Sequence, residues 1–213
     1  ALTLRDAPAR DWEAIAPGPG PDGGSYLYVG DIGDNDGRRR HVTVYRVPEP
    51  SADEGESAAA EALHAAYPDG PTDAESLFVT GSGDVYIITK GDPGPVALYR
   101  FPRALRTGVV MRLERIGQPL SAGNVPPADR PTAAEWSEDG RWIVVRTTRR
   151  LAFYRASDLV AGRWRDVHRQ DLGGLRERRG EGIAFGRNGM VFLVGESAGS
   201  RAGSFAKLSC TIR

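Results

Sequence analysis

Residues 133–155 read AAEWSEDGRWIVVRTTRRLAFYR, and this stretch decides the fold class. Two apolar runs flank a Ser-Glu-Asp-Gly turn, and a third apolar run follows after a short basic break. Asp and Gly favour the backbone conformations of tight turns, so the stretch predicts three short antiparallel strands joined by hairpins. A unit of this size cannot bury both of its faces alone, and it therefore needs similar units beside it.

The same cassette recurs along the chain in four copies, near residues 11–47, 73–102, 132–156 and 180–209. Each copy contains a glutamate close to its first apolar run. These anchor glutamates are Glu13, Glu75, Glu135 and Glu181. They are spaced 62, 60 and 46 residues apart, and repeats of roughly this length built from hairpin-linked strands are typical of β-propeller blades. We therefore predict one all-β domain over residues 1–213, a β-propeller with four recognisable blades.

Two ways of closing the ring are compatible with four cassettes. In the first, residues 2–4 form the outermost strand of the fourth blade and close a four-bladed ring. In the second, the chain is the major part of a five-bladed ring without its N-terminal blade. Residues 50–66 are acidic and alanine-rich, so we expect an exposed excursion between blades there. In either ring, the innermost strands are expected to contain Ile15, Leu77, Trp136 and Ile183.

The composition excludes several classes of protein. The chain has 28 basic and 28 acidic residues, so it lacks the positive field that draws proteins to nucleic acid. No apolar run reaches the length of about 18 residues that indicates a transmembrane helix, so we expect no membrane span. The sequence starts at Ala1 and has one cysteine, Cys210, whose thiol either pairs elsewhere or serves as a small hydrophobe. We expect a monomer that is secreted or held in the cell envelope.

The anchor glutamates indicate a candidate site at one mouth of the central channel. The innermost strands of a propeller line this channel, so equivalent residues of four blades surround its mouth. Carboxylates held there could bind Ca²⁺, which prefers oxygen ligands, or a polar molecule. Alternatively, each glutamate could accept hydrogen bonds from an adjoining loop, once per blade.

A second set of charged residues follows the second strand of each blade. Its members are Asp31, Lys90, Arg146 and Glu196. Their mixed signs allow ion pairs between blades or recognition of a ligand that carries both donors and acceptors. The candidate ligand-binding residues are therefore Glu13, Glu75, Glu135, Glu181, Lys90, Arg146 and Glu196.

Residues 31–37, DIGDNDG, form the most oxygen-rich segment of the chain. Asp31, Asp34 and Asp36 could wrap a Ca²⁺ ion, although their spacing is not that of an EF-hand loop. Asp and Asn also favour turns, which is the alternative explanation. Calcium is thus the one cofactor that the sequence suggests.

Two resemblances extend this interpretation. Residues 137–143, SEDGRWI, resemble the turn of TolB-type propeller repeats, and they depart from it at Glu138, where that family commonly has Pro. Residues 11–13, 28–35 and 181–184 resemble uncharacterised secreted actinobacterial propellers, and more distantly phytase-like and esterase-like propellers. This likeness covers nearly the whole chain. It implies an additional N-terminal blade and an N-terminal cysteine that would pair with Cys210.

These features predict a secreted propeller that binds a polar small molecule, a glycan or a protein partner at the mouth of its channel. The alternative is a calcium-dependent hydrolase of phosphoesters or other esters, of the phytase-like type, in which the metal activates water. The sequence assigns no catalytic residue, because Ser197, Ser200 and Ser204 lie in a Gly/Ser loop with no base in view and its histidines are isolated.

Overall fold

The protein is an all-β propeller of four blades. The computed structural model describes residues 2–51, 53–92, 94–118, 125–175, 177, 179–197 and 202–210. Within them, helical structure consists of α1 (Ala156–Leu159) and three single 3-10 turns, at Pro127–Asp129, Gly173–Leu175 and Arg187–Gly189. The predicted fold class is therefore confirmed. Residues 198–201, which belong to the range predicted for the fourth blade, lie outside the described part of the chain.

Each blade is one sheet whose three core strands are antiparallel, and the first of these strands lies nearest the axis. In blade 1 the three core strands are β2 (Trp12–Pro19), β3 (Ser25–Asp31) and β4 (Val42–Pro48). In blade 2 they are β7 (Ala74–Val79), β8 (Val85–Thr89) and β9 (Leu98–Arg100). In blade 3 the core strands are β12 (Pro131–Trp136), β13 (Trp142–Thr147) and β14 (Arg150–Arg155). In blade 4 they are β16 (Gly180–Phe185), β17 (Met190–Gly195) and β18 (Ser204–Ser209). As expected, the innermost strands contain Ile15, Leu77, Trp136 and Ile183.

Additional strands extend the outer edges of the first three sheets. They are β6 (Glu61–Ala66) and β10 (Val110–Arg112) in the first blade, β11 (Glu114–Gly117) in the second and β15 (Asp166–Asp171) in the third. A separate parallel pair is formed by β1 (Thr3–Arg5) and β5 (Glu56–Ala59). The linker between the second and third blades therefore supplies one strand to each of the first two sheets.

Two expectations about the outer strands are wrong. Residues 50–66 are not an exposed excursion throughout, because β6 pairs with β4 and Leu63 within it is fully buried. Leu63 and Ala65 point into the core at alternate positions, a signal that the alanine-rich composition concealed. Residues 3–5 do not complete the fourth blade either, because β1 pairs with β5 beside the first blade.

Apolar cores between blades hold the ring together. One core lies between blades 1 and 2, one between blades 2 and 3, and one between blades 3 and 4. The turns between the first two strands of blades 2, 3 and 4 each use a glycine with positive φ, at Gly83, Gly140 and Gly189. These glycines allow the tight turn that pairs the first and second strands of each of these blades.

The seam between blade 4 and blade 1 differs from the other three. At the other seams the inner strands pack side by side, β2 with β7, β7 with β12, and β12 with β16. At this seam β16 and β2 face each other across a cavity of about 440 Å³. Ile15 and Val194 border it and are 59% and 47% exposed. Within the part of the chain that the structure describes, the central channel is thus open along one side.

Candidate functional site

A β-bulge interrupts the innermost strand of every blade at the same place. The register between the first and second strands shifts across residues 12–14, 74–76, 131–133 and 180–182. The extra residue at each bulge is therefore Glu13, Glu75, Thr132 and Glu181. Bulges re-aim a side chain away from the regular alternation of a strand, so these four residues are structural equivalents.

The four bulge residues surround one mouth of the channel, which we call the acidic mouth. It is a cavity of about 860 Å³. Besides the bulge residues, it is lined by Asp11, Trp12, Asn35, Lys90, Pro127, Arg130, Thr148, Arg179, Val194, Gly195 and Glu196. Three of the predicted glutamates are thus brought together here, along with Lys90 and Glu196.

Glu135 is not part of this ring, contrary to the prediction. It lies three residues beyond the bulge of β12 and opposite Val144, so Thr132 takes the equivalent position in blade 3. Three residues of strand span about 10 Å, which moves Glu135 along the channel wall. It lines a different cavity, at the opposite end of the innermost strands.

Asp11 and Glu13 form a carboxyl pair in the acidic mouth. Their side chains are hydrogen-bonded to each other, and both lie against Gly33, where a Cβ atom would be 2.9 Å from Oε1 of Glu13. Burial, together with the nearby charge of Glu75 and the contact with Asp11, raises the pKa of Glu13 to about 8. The raised pKa favours the protonated form of Glu13, in which its carboxyl can donate a hydrogen bond as well as accept one.

Lys90 neutralises the blade 2 side of the mouth. Its ammonium forms ion pairs with Glu75 and, at 3.2 Å, with Asp73, and it lies 3.5 Å from Oδ1 of Asn35. Burial raises the pKa of Glu75, and the Lys90 ammonium opposes that effect. Both carboxylates belong to the same blade as Lys90, so these ion pairs lie within blade 2 and not between neighbouring blades, as the mixed charges had suggested.

Two polar groups of the mouth have no partner. The carboxyl of Glu181 forms neither an ion pair nor a hydrogen bond within the described residues, and burial followed by the charge of Glu75 raises its pKa. Thr132 is 7% exposed, and its Oγ1 atom has no hydrogen-bond partner in the described part of the chain. A buried hydroxyl without a partner costs about 1 to 3 kcal/mol, so a bound molecule that satisfied it would gain from doing so.

The basic residues at the rim are already paired. Arg179 contacts Glu196 at 3.0 Å, and Arg130 contacts Asp92 at 2.6 Å. Glu196, a predicted ligand-binding residue, thus lines the mouth as half of an ion pair.

Arg146 lies away from the mouth, behind the strands. It is fully buried, forms an ion pair with Glu177, and donates hydrogen bonds to the carbonyl oxygens of Gly182 and, at 2.9 Å, Val194. Burial lowers the pKa of its guanidinium, and the charge of Glu177 opposes that effect. These contacts join blade 3 to blade 4, so its role in this geometry is to hold two blades together.

The acidic loop at residues 31–37 is occupied by protein donors. Arg39 contacts both carboxylate oxygens of Asp31, at 3.1 and 3.0 Å. Asp34 accepts hydrogen bonds from the backbone N–H groups of Arg38 and Arg39, both at 2.9 Å, whereas Asp36 is exposed. In the described residues no group of three or more His, Cys, Asp or Glu side chains has a metal-binding arrangement. Calcium at this loop or at the mouth stays a prediction, which a titration can test.

Sequence reasoning missed Thr132, Asp11, Trp12 and Arg179 at this site. The last three flank cassettes already recognised, at the edge of an innermost strand, so proximity to the anchor glutamates could have found them. Nothing in the sequence distinguishes Thr132 from an ordinary strand threonine, because its role depends on the bulge.

The comparisons with known proteins support the fold. No protein-family model and no curated protein matches the chain. A solved structure of luciferin-regenerating enzyme, which is a propeller, is similar with a TM-score of 0.50 and 14% sequence identity. The similarity covers 90% of this chain and 59% of that one, so this chain spans less than two thirds of that enzyme's length. An identity this low shows the propeller fold alone. No helix in the described residues is long and apolar enough to cross a membrane.

Proposed function

We propose that the protein binds a small polyhydroxylated molecule, such as the monosaccharide unit of a glycan, at the acidic mouth. One observation carries this proposal: four equivalent bulges direct Glu13, Glu75, Thr132 and Glu181 to one cavity, and the hydroxyl of Thr132 there has no partner. Convergent polar groups in a cavity of this size are typical of small-molecule sites.

The polar groups of the mouth match the hydroxyl groups of a sugar. The Glu181 carboxyl can accept a hydrogen bond, and the protonated Glu13 can donate one. Trp12 lines the same cavity and is 39% exposed, so its ring offers an apolar surface on which the C–H face of a sugar can pack. This combination of an aromatic wall with donors and acceptors favours a neutral polyol over a purely apolar ligand.

The proposal is tested by saturation-transfer difference NMR with glucose, galactose, mannose and myo-inositol. We expect saturation transfer to at least one of them, and binding isotherms then give its affinity. Thr132→Val removes the hydroxyl and keeps the shape of the side chain, so affinity should fall about threefold to tenfold, the value of one hydrogen bond. Glu61→Gln is the control, because Glu61 is exposed on the outer sheet and should leave affinity unchanged.

Two results would overturn the proposal. The first is the absence of saturation transfer to all four compounds with the folded wild-type protein. The second is an affinity of Thr132→Val equal to that of the wild type.

Calcium-dependent hydrolysis of an ester remains the second candidate, because Glu13, Glu75 and Glu181 share one mouth. It requires a bound metal, so saturating CaCl₂ should raise the melting temperature by mass action, and Glu181→Gln should remove that shift. An unchanged melting temperature would refute it.

Export of the protein, its monomeric state and the use of a protein partner are further proposals. Size-exclusion chromatography tests whether the protein is a monomer.

A further inference from the structure

The opposite end of the channel holds a second cavity, which we call the turn mouth. Its volume is about 470 Å³. All four blades contribute to it through the ends of their innermost strands or the turns that follow. The residues that line it are Pro17, Gly18, Pro19, Gly23, Gly24, Ser25, Val79, Thr80, Gly81, Glu135, Trp136, Glu138 and Phe185.

Among the described residues that line this cavity, Glu135 is the one buried charged group. It is 5% exposed, and no described residue gives its carboxyl an ion pair or a hydrogen bond. Burial alone raises the pKa of Glu135 to about 8, with no contribution from a neighbouring charge. A carboxyl that is buried without a partner is costly for a fold to keep, so Glu135 is a candidate for contact with a cationic or hydrogen-bonding partner in this cavity.

The lining of the turn mouth indicates the chemistry of that partner. The described residues of the lining include two carboxyls, Glu135 and Glu138, and two aromatic side chains, Trp136 and Phe185, and none of them is a lysine or an arginine. Carboxylates and aromatic faces both attract cations. A calcium ion needs six to eight oxygen ligands, which one buried carboxyl cannot supply.

We infer that the turn mouth binds a small organic ammonium ion, with Glu135 as its counterion and Trp136 and Phe185 as its aromatic walls. In the complex Glu135 is ionised and accepts a hydrogen bond from the ammonium N–H. Binding below neutral pH therefore requires Glu135 to release its proton first. This site is independent of the polyol site proposed at the acidic mouth, since the two lie at opposite ends of the channel.

Methylammonium chloride is the probe, titrated into the wild-type protein at pH 6, 7, 8 and 9 and followed by the chemical shifts of the tryptophan indole N–H groups. Sodium chloride at equal ionic strength is the reference. We expect saturable binding whose affinity rises about tenfold per pH unit from pH 6 and levels off near pH 8, because one proton is released on binding. No saturable binding at pH 9, or an affinity that does not change with pH, would overturn the inference.

Variants locate the binding site. Glu135→Gln keeps the size of the side chain and removes its charge, so affinity at pH 9 should fall at least about tenfold. Glu13→Gln alters the acidic mouth only, so the affinity for methylammonium at pH 9 should stay unchanged. Loss of binding in Glu13→Gln but not in Glu135→Gln would place the ammonium at the acidic mouth and refute the inference. If Glu135→Gln does not fold, the pH profile of the wild type still decides.

Discussion

The isolated burial of Glu135 predicts an unusual pH dependence of stability. Its pKa is raised from 4.5 to about 8 in the folded protein because its carboxyl is buried without a partner. The folded state therefore holds a proton that the unfolded state releases between these two values. The contribution of protonated Glu135 to the free energy of unfolding is fully present below pH 4.5, and it is lost as the pH rises toward 8.

The magnitude follows from linkage. One pKa unit corresponds to about 1.4 kcal/mol, so the interval from 4.5 to about 8 corresponds to roughly 5 kcal/mol at pH 8 and above. Glutamine has the same shape and no ionisable proton, so Glu135→Gln removes this dependence. Relative to the wild type, the variant should gain several kcal/mol between pH 5 and pH 9.

Urea unfolding at pH 5, 6, 7, 8 and 9 measures this difference, with the free energy of unfolding compared between the two proteins at each pH. Other carboxyls titrate equally in both proteins and cancel. Glu138→Gln is the matched control, because Glu138 is exposed in the turn that follows the same strand and its substitution should leave the pH profile unchanged. A difference between Glu135→Gln and the wild type that stays constant from pH 5 to pH 9 would refute the reasoning.

Three further outcomes are expected. Arg146→Met should destabilise the protein by about 3 to 5 kcal/mol in urea unfolding, because it leaves the buried carboxylate of Glu177 without its ion-pair partner. Arg163→Met, at an exposed ion pair, is the control. Equal losses of stability in the two variants would contradict the role of Arg146 in holding blades 3 and 4 together. Gly33→Ala should weaken monosaccharide binding about tenfold, since its methyl group would press on the Asp11 carboxyl and then on Glu13, and full affinity would argue against the Asp11–Glu13 pair. Cys210, half-buried and with its thiol pKa raised by burial, should react with maleimide more slowly in the folded protein than in urea; equal rates would show that it is exposed.

The blades could be predicted from the sequence because their signals are local. Each hairpin combines two apolar runs with a glycine turn, and the structure has inner strands where these runs lie. The outer strands could not be predicted in this way. The pairing of β6 with β4 and of β10 with β6 joins segments far apart in the chain, and alanine-rich or short segments such as Glu61–Ala66 and Val110–Arg112 carry little strand propensity of their own.

The site could be predicted only in part, and the register of one strand explains the error. In blades 1, 2 and 4 the bulge residue is a glutamate, so residue type and position coincide. In blade 3 the bulge residue is Thr132, and the glutamate of that cassette is Glu135. With Thr132 in place of Glu135, the spacings become 62, 57 and 49 residues, a more even series than 62, 60 and 46. A one-residue bulge leaves no mark in composition, so only the strand pairing reveals it.

The charges of the acidic mouth determine which substrates suit it. Lys90, Arg130 and Arg179 are the basic residues that line it, and each already pairs with a carboxylate. A phosphoester would have to break one of these pairs, and it would also meet the carboxyls of Asp11 and Glu181, which form no ion pair in the described residues. A neutral polyol breaks no ion pair and can use the same carboxyls as hydrogen-bond partners. The arrangement of charge is therefore our reason for proposing a neutral hydroxylated ligand ahead of phosphoester hydrolysis.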